Sequence, residues 1–132
     1  MDNEEIKSLS NYRMEQAKEN LEEATILFDN GKFKGASSRA YYSILHAIRA
    51  VLALEQKDFK KHSSVMGYFN KEYIRTEIFP KELGKNINSA RLYREKSDYV
   101  DFYMVSKDDA LKQVETAKLM IKCAEKFIVK EN

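Results

Sequence analysis

The side chains in this sequence best suited to chemistry near neutral pH are two histidines, His46 and His62, and four arginines, Arg39, Arg49, Arg91 and Arg94. Imidazole, with an ordinary pKa of about 6.5, both takes and gives a proton near neutrality. Guanidinium stays charged and presents a fork of N–H donors that fits a phosphate or a carboxylate. On a helical wheel of about 100° per residue, Arg39, Tyr42, His46, Arg49 and Ala53 share one stripe, at steps of three and four. That stripe lies roughly opposite the apolar one formed by Phe33, Ala40, Ile44, Ala47, Ile48 and Val51. Aromatic, imidazole and guanidinium groups suit stacking and anion contact, so the stripe is expected to face a partner or a ligand. The alternative is a central helix buried on all sides, with these groups satisfied inside the protein.

A second anomaly follows further along. Leu83, Ile87 and Ala90 begin an inner stripe that continues on the same face as Arg91, Arg94 and Asp98. Arg94 and Asp98 are four residues apart and can pair along a helix, with Arg91 one turn earlier. Charges that continue a core stripe are costly unless paired or used, which makes this face a candidate site. Arg91, Arg94, Asp98 and His46 are the candidates for catalysis. Arg39, Tyr42, His46, Arg49, His62, Arg91, Arg94 and Tyr99 are the candidates for ligand binding. Neither a phosphate-binding glycine loop, nor a nucleophile elbow, nor a histidine pair at metal-ligand spacing is present, so neither a metal nor a cofactor is expected. Lys57, Lys60 and Lys61 precede His62 as a short basic cluster that reads as solvated loop charge.

The elements that must position these groups are helices. Apolar residues recur at a period of about 3.6, and no segment alternates over a strand's length, so the chain is expected to be all-α. A first helix is expected over Ser8 to Asp29, ended by Asn30-Gly31, and a second over Phe33 to Glu55. A short helix over Ser63 to Tyr73 follows, then one from Pro80 to Tyr99, with the proline in its first turn. The last opens at Ser106-Lys107-Asp108-Asp109, where serine can cap, and repeats Ala110, Val114, Ala117, Ile121, Ala124 and Ile128. Four main helices and one short one should form a single domain over residues 1–132, with its core over about 8–128.

Composition agrees with this reading. A third of the residues are charged and 43% are apolar or aromatic, the balance of a globular protein rather than a disordered one. No stretch approaches the roughly 18 apolar residues of a membrane span, and the N-terminus opens on acids rather than a signal peptide, so a cytoplasmic protein is expected. Cys123 is the only cysteine, which rules out an internal disulfide, and its helical spacing predicts a buried apolar role. A net charge of +2 is too mild to identify a nucleic-acid binder by itself. The second stripe on the second helix predicts a homodimer, because it leaves surface to cover beyond the chain's own core.

The segment Ser38-Arg39-Ala40-Tyr41-Tyr42-Ser43-Ile44-Leu45-His46-Ala47 resembles the second-helix signature of a bacterial and archaeal branch of the HEPN family. His62-Ser63-Ser64-Val65 resembles that branch's His-Ser-x-Val segment, Phe69-Asn70-Lys71-Glu72 its next turn, and Arg94-Glu95-Lys96-Ser97-Asp98-Tyr99 its Arg-to-Asp-Tyr motif. The resemblance spans roughly residues 8–128. It implies an up-and-down HEPN-like bundle, usually dimeric, often encoded beside a small nucleotidyltransferase partner in toxin-antitoxin pairs, with several members cutting RNA without metal. In those members four to six residues separate an arginine from a following histidine. Here the corresponding windows after Arg91 and Arg94 hold Lys96, Ser97 and Asp98, and Tyr99, Val100 and Asp101. An aspartate with an ordinary pKa of about 3.9, lowered further beside arginine, is a poor general acid. The expectation is therefore a non-catalytic or weakly catalytic binding module for RNA, a nucleotide or a nucleotidyltransferase. A metal-independent RNase toxin using His46 or His62, and a purely structural helical protein, are the alternatives.

Overall fold

A computed structural model describes residues 1–131; Asn132 lies outside the described residues. The chain forms α1 (Asn3–Asp29), α2 (Phe33–Ala53), α3 (His62–Phe69), a π-helical turn (Asn70–Ile74), α4 (Lys81–Tyr99) and α5 (Lys107–Glu131), with no strand among the described residues. The all-α bundle of four main helices and one short one is as expected. None of these helices is long and apolar enough to cross a membrane.

Boundaries shift where capping chemistry overrules apolar periodicity. α1 starts at Asn3 rather than Ser8, because the Asp2 carboxylate accepts from the Glu5 N–H at 2.9 Å and Glu5 reaches back to Asp2. α2 ends at Ala53 rather than Glu55: Gln56 takes a left-handed φ of 56°, and the Lys57 N–H returns to the Leu52 carbonyl. α3 ends at Phe69, and the expected continuation to Tyr73 widens into the π turn. Pro80 caps α4 from outside instead of sitting in its first turn. Ser106 caps α5 as expected, its Oγ accepting from the Asp109 N–H at 3.0 Å.

α1 and α2 form an antiparallel hairpin turned at Gly31, whose φ of 75° suits glycine. Small residues let the two backbones approach. Ser10 donates to the Ala50 carbonyl at 2.8 Å and Ser43 to the Ala17 carbonyl at 2.7 Å, both buried, with Ala24, Ala40 and Ala47 sealed nearby. α5 packs on both helices of the hairpin, α4 lies against α2 and α5, and α3 crosses α2. Phe69, Tyr73, Phe79 and Phe127 form an aromatic cluster that ties α3, the π turn and the start of α4 to the end of α5, with centroids 5.1–6.0 Å apart. The π turn approaches α4 so closely that a Cβ on Gly84 would sit 2.6 Å from Ile74 Cγ2. Cys123 is half-buried against the main core, not fully buried as its spacing predicts, because it sits at the edge of the α5 apolar stripe.

Gln113 on α5 is fully buried, and neither its amide oxygen nor its nitrogen has a hydrogen-bond partner among the described residues. Replacing it with leucine, of similar volume, removes two desolvated polar atoms and should stabilise the fold by about 1–2 kcal/mol. Urea unfolding of Gln113→Leu measures this. A comparable loss of stability would show that the amide has a partner which these contacts do not include.

Candidate functional site

α2 is buried over most of its surface. Buried residues occur all around it, including Ala53 at the end of the expected polar stripe. Within that stripe Arg39 is exposed, whereas Tyr42, His46 and Arg49 are half-buried. The chain covers them itself. The segment after α2 folds back over Arg49, and α3 and α4 close over Tyr42. The stripe is therefore partly covered from within the chain: Arg39 stays exposed, and Tyr42, His46 and Arg49 each keep some of their surface at the exterior.

The covered stripe forms a polar seam with two ends. At one end Arg13 of α1 and Arg49 of α2 share Asp58. Arg13 Nη2 donates to Asp58 Oδ2 at 3.2 Å, and Arg49 Nε lies 3.6 Å from Oδ1. Arg13 also donates to the Arg49 carbonyl and Arg49 to the Phe59 carbonyl. Two cations against one carboxylate leave a net positive charge. At the other end the Arg94 guanidinium lies over the Tyr42 ring, 5.4 Å from its centroid, a distance that permits a cation–π contact. Its Nη2 donates to the Tyr42 hydroxyl at 3.4 Å, and its Nη1 pairs with Asp98 as the four-residue spacing predicts. His62 opens α3 between the two ends: its Nδ1 is 3.3 Å from the Tyr41 hydroxyl, and its ring centroid is 6.0 Å from those of Tyr41 and Tyr42.

The structure thus brings together Tyr42, His62, Arg94 and Asp98, with His46 and Arg49 further along α2. Arg91 makes no hydrogen bond to that cluster among the described residues, although its charge acts on Tyr41. It pairs with Glu95 at 2.6 Å and with Asn88 at 3.0 Å, on the wall of a groove of about 630 Å³ between α3 and α4. Arg39 has no side-chain hydrogen bond or ion pair among the described residues, and Tyr99 is 84% exposed beyond the seam. Sequence reasoning missed Arg13, Tyr41 and Asp58. Arg13 borders the buried row Ser10, Met14 and Ala17, which was a readable signal; Asp58 sits in an aperiodic loop that carried none.

Two features of the seam bear on its chemistry. The Nε–H groups of Arg49 and Arg94 are buried with no hydrogen-bond partner among the described residues, although the Arg49 Nε lies within ion-pair range of Asp58. Arg94 is also 26% exposed at its side chain, so the seam is neither sealed nor open surface.

The HEPN domain family model matches residues 10–128. A "Putative toxin" of Methanocaldococcus jannaschii is 30% identical over 119 residues, covering 90% of this chain and 81% of that protein. A UPF0332 protein of Thermotoga maritima is 30% identical over 124 residues, covering 94% of each. A second M. jannaschii protein, also named "Putative toxin", is 35% identical over 96 residues, covering 73% of this chain and 69% of its own length.

Acid should weaken this fold through its histidines. Burial, and then the charges of Arg49, Arg13 and His62, hold the His46 pKa below its ordinary 6.5; burial, Arg49 and Arg94 lower that of His62, whose side chain is more exposed. With folded values below the unfolded ones, unfolding takes up protons in the interval between them. The contribution is complete above about pH 6.5 and is lost as pH falls towards the folded values. The melting temperature should drop from about pH 7 to about pH 5, and His46→Gln should flatten the drop. A melting temperature that rises on acidification, or one equally steep in His46→Gln, contradicts the assignment.

Proposed function

The chain belongs to the HEPN domain family, and from that premise we propose that it is a non-catalytic or weakly catalytic binding module for RNA or a nucleotide, acting in the cytoplasm within a toxin-type system. The names of the two M. jannaschii relatives support the setting. A small nucleotidyltransferase is the protein partner that the family resemblance suggests. One observation carries the binding role: Arg94 is held over Tyr42 with its Nε–H unused, beside His62 and on the same side of α2 as Arg49. A phosphate placed there meets guanidinium donors already positioned and a tyrosine ring against which a base can stack. Family members that cut RNA carry a histidine soon after the arginine, and this chain has Asp98 pairing with Arg94 instead.

A second reading, a metal-independent ribonuclease, is favoured by one contact. His62 comes from α3 to lie against Tyr42, and so supplies in space an imidazole that α4 lacks in sequence. A largely neutral imidazole can accept the proton of a ribose 2′-hydroxyl while Arg94 binds the phosphate. If that reading holds, RNA is cut in the presence of a chelator, and His62→Gln abolishes cutting while RNA binding persists. An uncut substrate leaves the binding role alone.

Arg94→Ala tests the binding role. Titration with a short single-stranded RNA over a salt series should show weaker binding, with the slope of log K against log salt shallower by about 0.7 when one phosphate is no longer neutralised. The Arg94–Asp98 pair is partly exposed, so the fold should lose only about 1 kcal/mol. A stability loss on the order of 3 kcal/mol, with no RNA or nucleotide binding by the parent protein, would make the seam a structural ion-pair network and end the proposal.

A further inference from the structure

The groove of about 630 Å³ between α3 and α4 lies outside the polar seam, since neither Tyr42 nor Arg94 lines it. On its α4 side Lys81, Lys85, Asn88 and Arg91 recur at steps of three and four, so they share one face of that helix. The facing wall is neutral. It is made by Ser63 and Gly67 of α3 and by Asn70, where the π turn begins. The buried side chains of Met66, Ile74 and Ile87 supply an apolar floor, and no carboxylate lines the groove among the described residues.

Two glycines stand in this groove for different reasons. A Cβ on Gly84 would come within 2.6 Å of Ile74 Cγ2, so close packing accounts for that one. A Cβ on Gly67 would meet nothing within 4 Å, although a glycine inside a helix costs stability relative to alanine. Neither a turn nor a neighbour in the chain requires it. What its missing side chain leaves is open space on the groove wall.

The three cations are not equivalent. Glu77 holds Lys81 at 3.1 Å and Glu95 holds Arg91 at 2.6 Å, both from outside the lining. Lys85, between them, has no ion pair among the described residues, so its charge is left to the groove. Asn88 gives its Oδ1 to Arg91, which leaves its amide N–H groups, one turn from Lys85, free to donate. Glu77 and Glu95 also bracket the site, each four residues beyond the stretch from Lys81 to Arg91, which spans about 15 Å of helix. A nucleic acid or an acidic peptide that leaves the groove along α4 meets one of these carboxylates. A short ligand with a single charge does not.

We infer that the groove is a binding site for a small hydrophobic monoanion, a carboxylate or sulfonate with an aliphatic or aromatic body. The head lies at Lys85 and the Asn88 amide, and the body rests on Met66, Ile74 and Ile87, where the unbranched methionine adapts to its shape. The volume falls among pockets that take small ligands, roughly 300–1,000 Å³, and an apolar lining with a few polar groups is their usual make-up. A phosphate is matched less well, because the guanidinium fork of Arg91 is already engaged by Glu95 and Asn88.

Titration of the full chain with anilinonaphthalene sulfonate, an aromatic monoanion whose fluorescence rises on leaving water, tests this. One dye per chain should bind and octanoate should displace it, while octanol, which lacks the charge, should compete about tenfold more weakly. Lys85→Met should abolish that preference. Gly67→Leu puts a side chain into the open space on the wall, so it should stay folded by circular dichroism and bind no dye. If Gly67→Leu does not fold, Lys85→Met carries the test alone. Arg94→Ala should bind the dye as the parent does, which separates a failure of the seam reading from a failure here. The inference is overturned by a parent that binds no dye, by a folded Gly67→Leu protein that binds it as well as the parent, or by octanol competing as well as octanoate in the parent. Displacement of the dye by a short single-stranded RNA but not by octanoate would also overturn it, and would give the groove to a polyanion.

Discussion

The rest of this bundle follows from α2 being buried over most of its surface, its second half above all. α1 lies along it through serine and alanine contacts, α5 packs on a second side, and α3 and α4 close the rest. A helix enclosed in this way cannot send Tyr42, His46 and Arg49 into bulk solvent, and groups desolvated without partners are costly. The later parts of the chain must bring the partners in. Asp58 and the Phe59 carbonyl come from the loop for Arg49, His62 comes from α3 for Tyr41, and Arg94 comes from α4 for Tyr42. The polar seam is a consequence of how α2 is enclosed.

The enclosure is incomplete in an informative way. Arg13 and Arg49 share a single carboxylate, and the buried Nε–H of Arg94 has no hydrogen-bond partner among the described residues. A network built only for stability would tend to consume that donor, since a half-satisfied polar cluster is poorer than an apolar one. Burial first, and then the neighbouring arginine charges, lower the pKa of both histidines. An arriving phosphate would relieve the imbalance, which ties the seam's strain to its proposed use. Arg91 takes different partners, Asn88 and Glu95 along α4, while its charge, like that of Arg94, acts on Tyr41.

The helices themselves were legible because each must bury one stripe, and a period of 3.6 survives in the sequence whatever the stripe is buried against. The caps at Ser106 and at Asn30-Gly31 were legible for the same local reason. The Arg94–Asp98 pair needed only a four-residue step along one helix, and the exchange of apolar for charged positions after Ala90 marked the place where α4 meets Tyr42. Local rules fell short where a loop or a turn decides. Nothing periodic announces that the segment after Ala53 doubles back, so Asp58 gave no sign of its two arginines. The π turn at Asn70–Ile74 packs closely on Gly84 of the next helix, a contact that nothing in its own five residues announces.

By itself, then, the sequence determined the all-helical architecture, the family motifs and the odd chemistry of the stripe Tyr42, His46 and Arg49, since composition and spacing within one helix are enough for each. Only the tertiary structure decided which way that stripe is covered. Tyr42 receives Arg94 from 52 residues away and Tyr41 receives His62 from 21 residues away. Contacts of that range are set by the packing of whole helices, not by any local periodicity. For the same reason Arg39 and Tyr99, indistinguishable from their neighbours on a wheel, fall outside the seam: the bundle has no element over them.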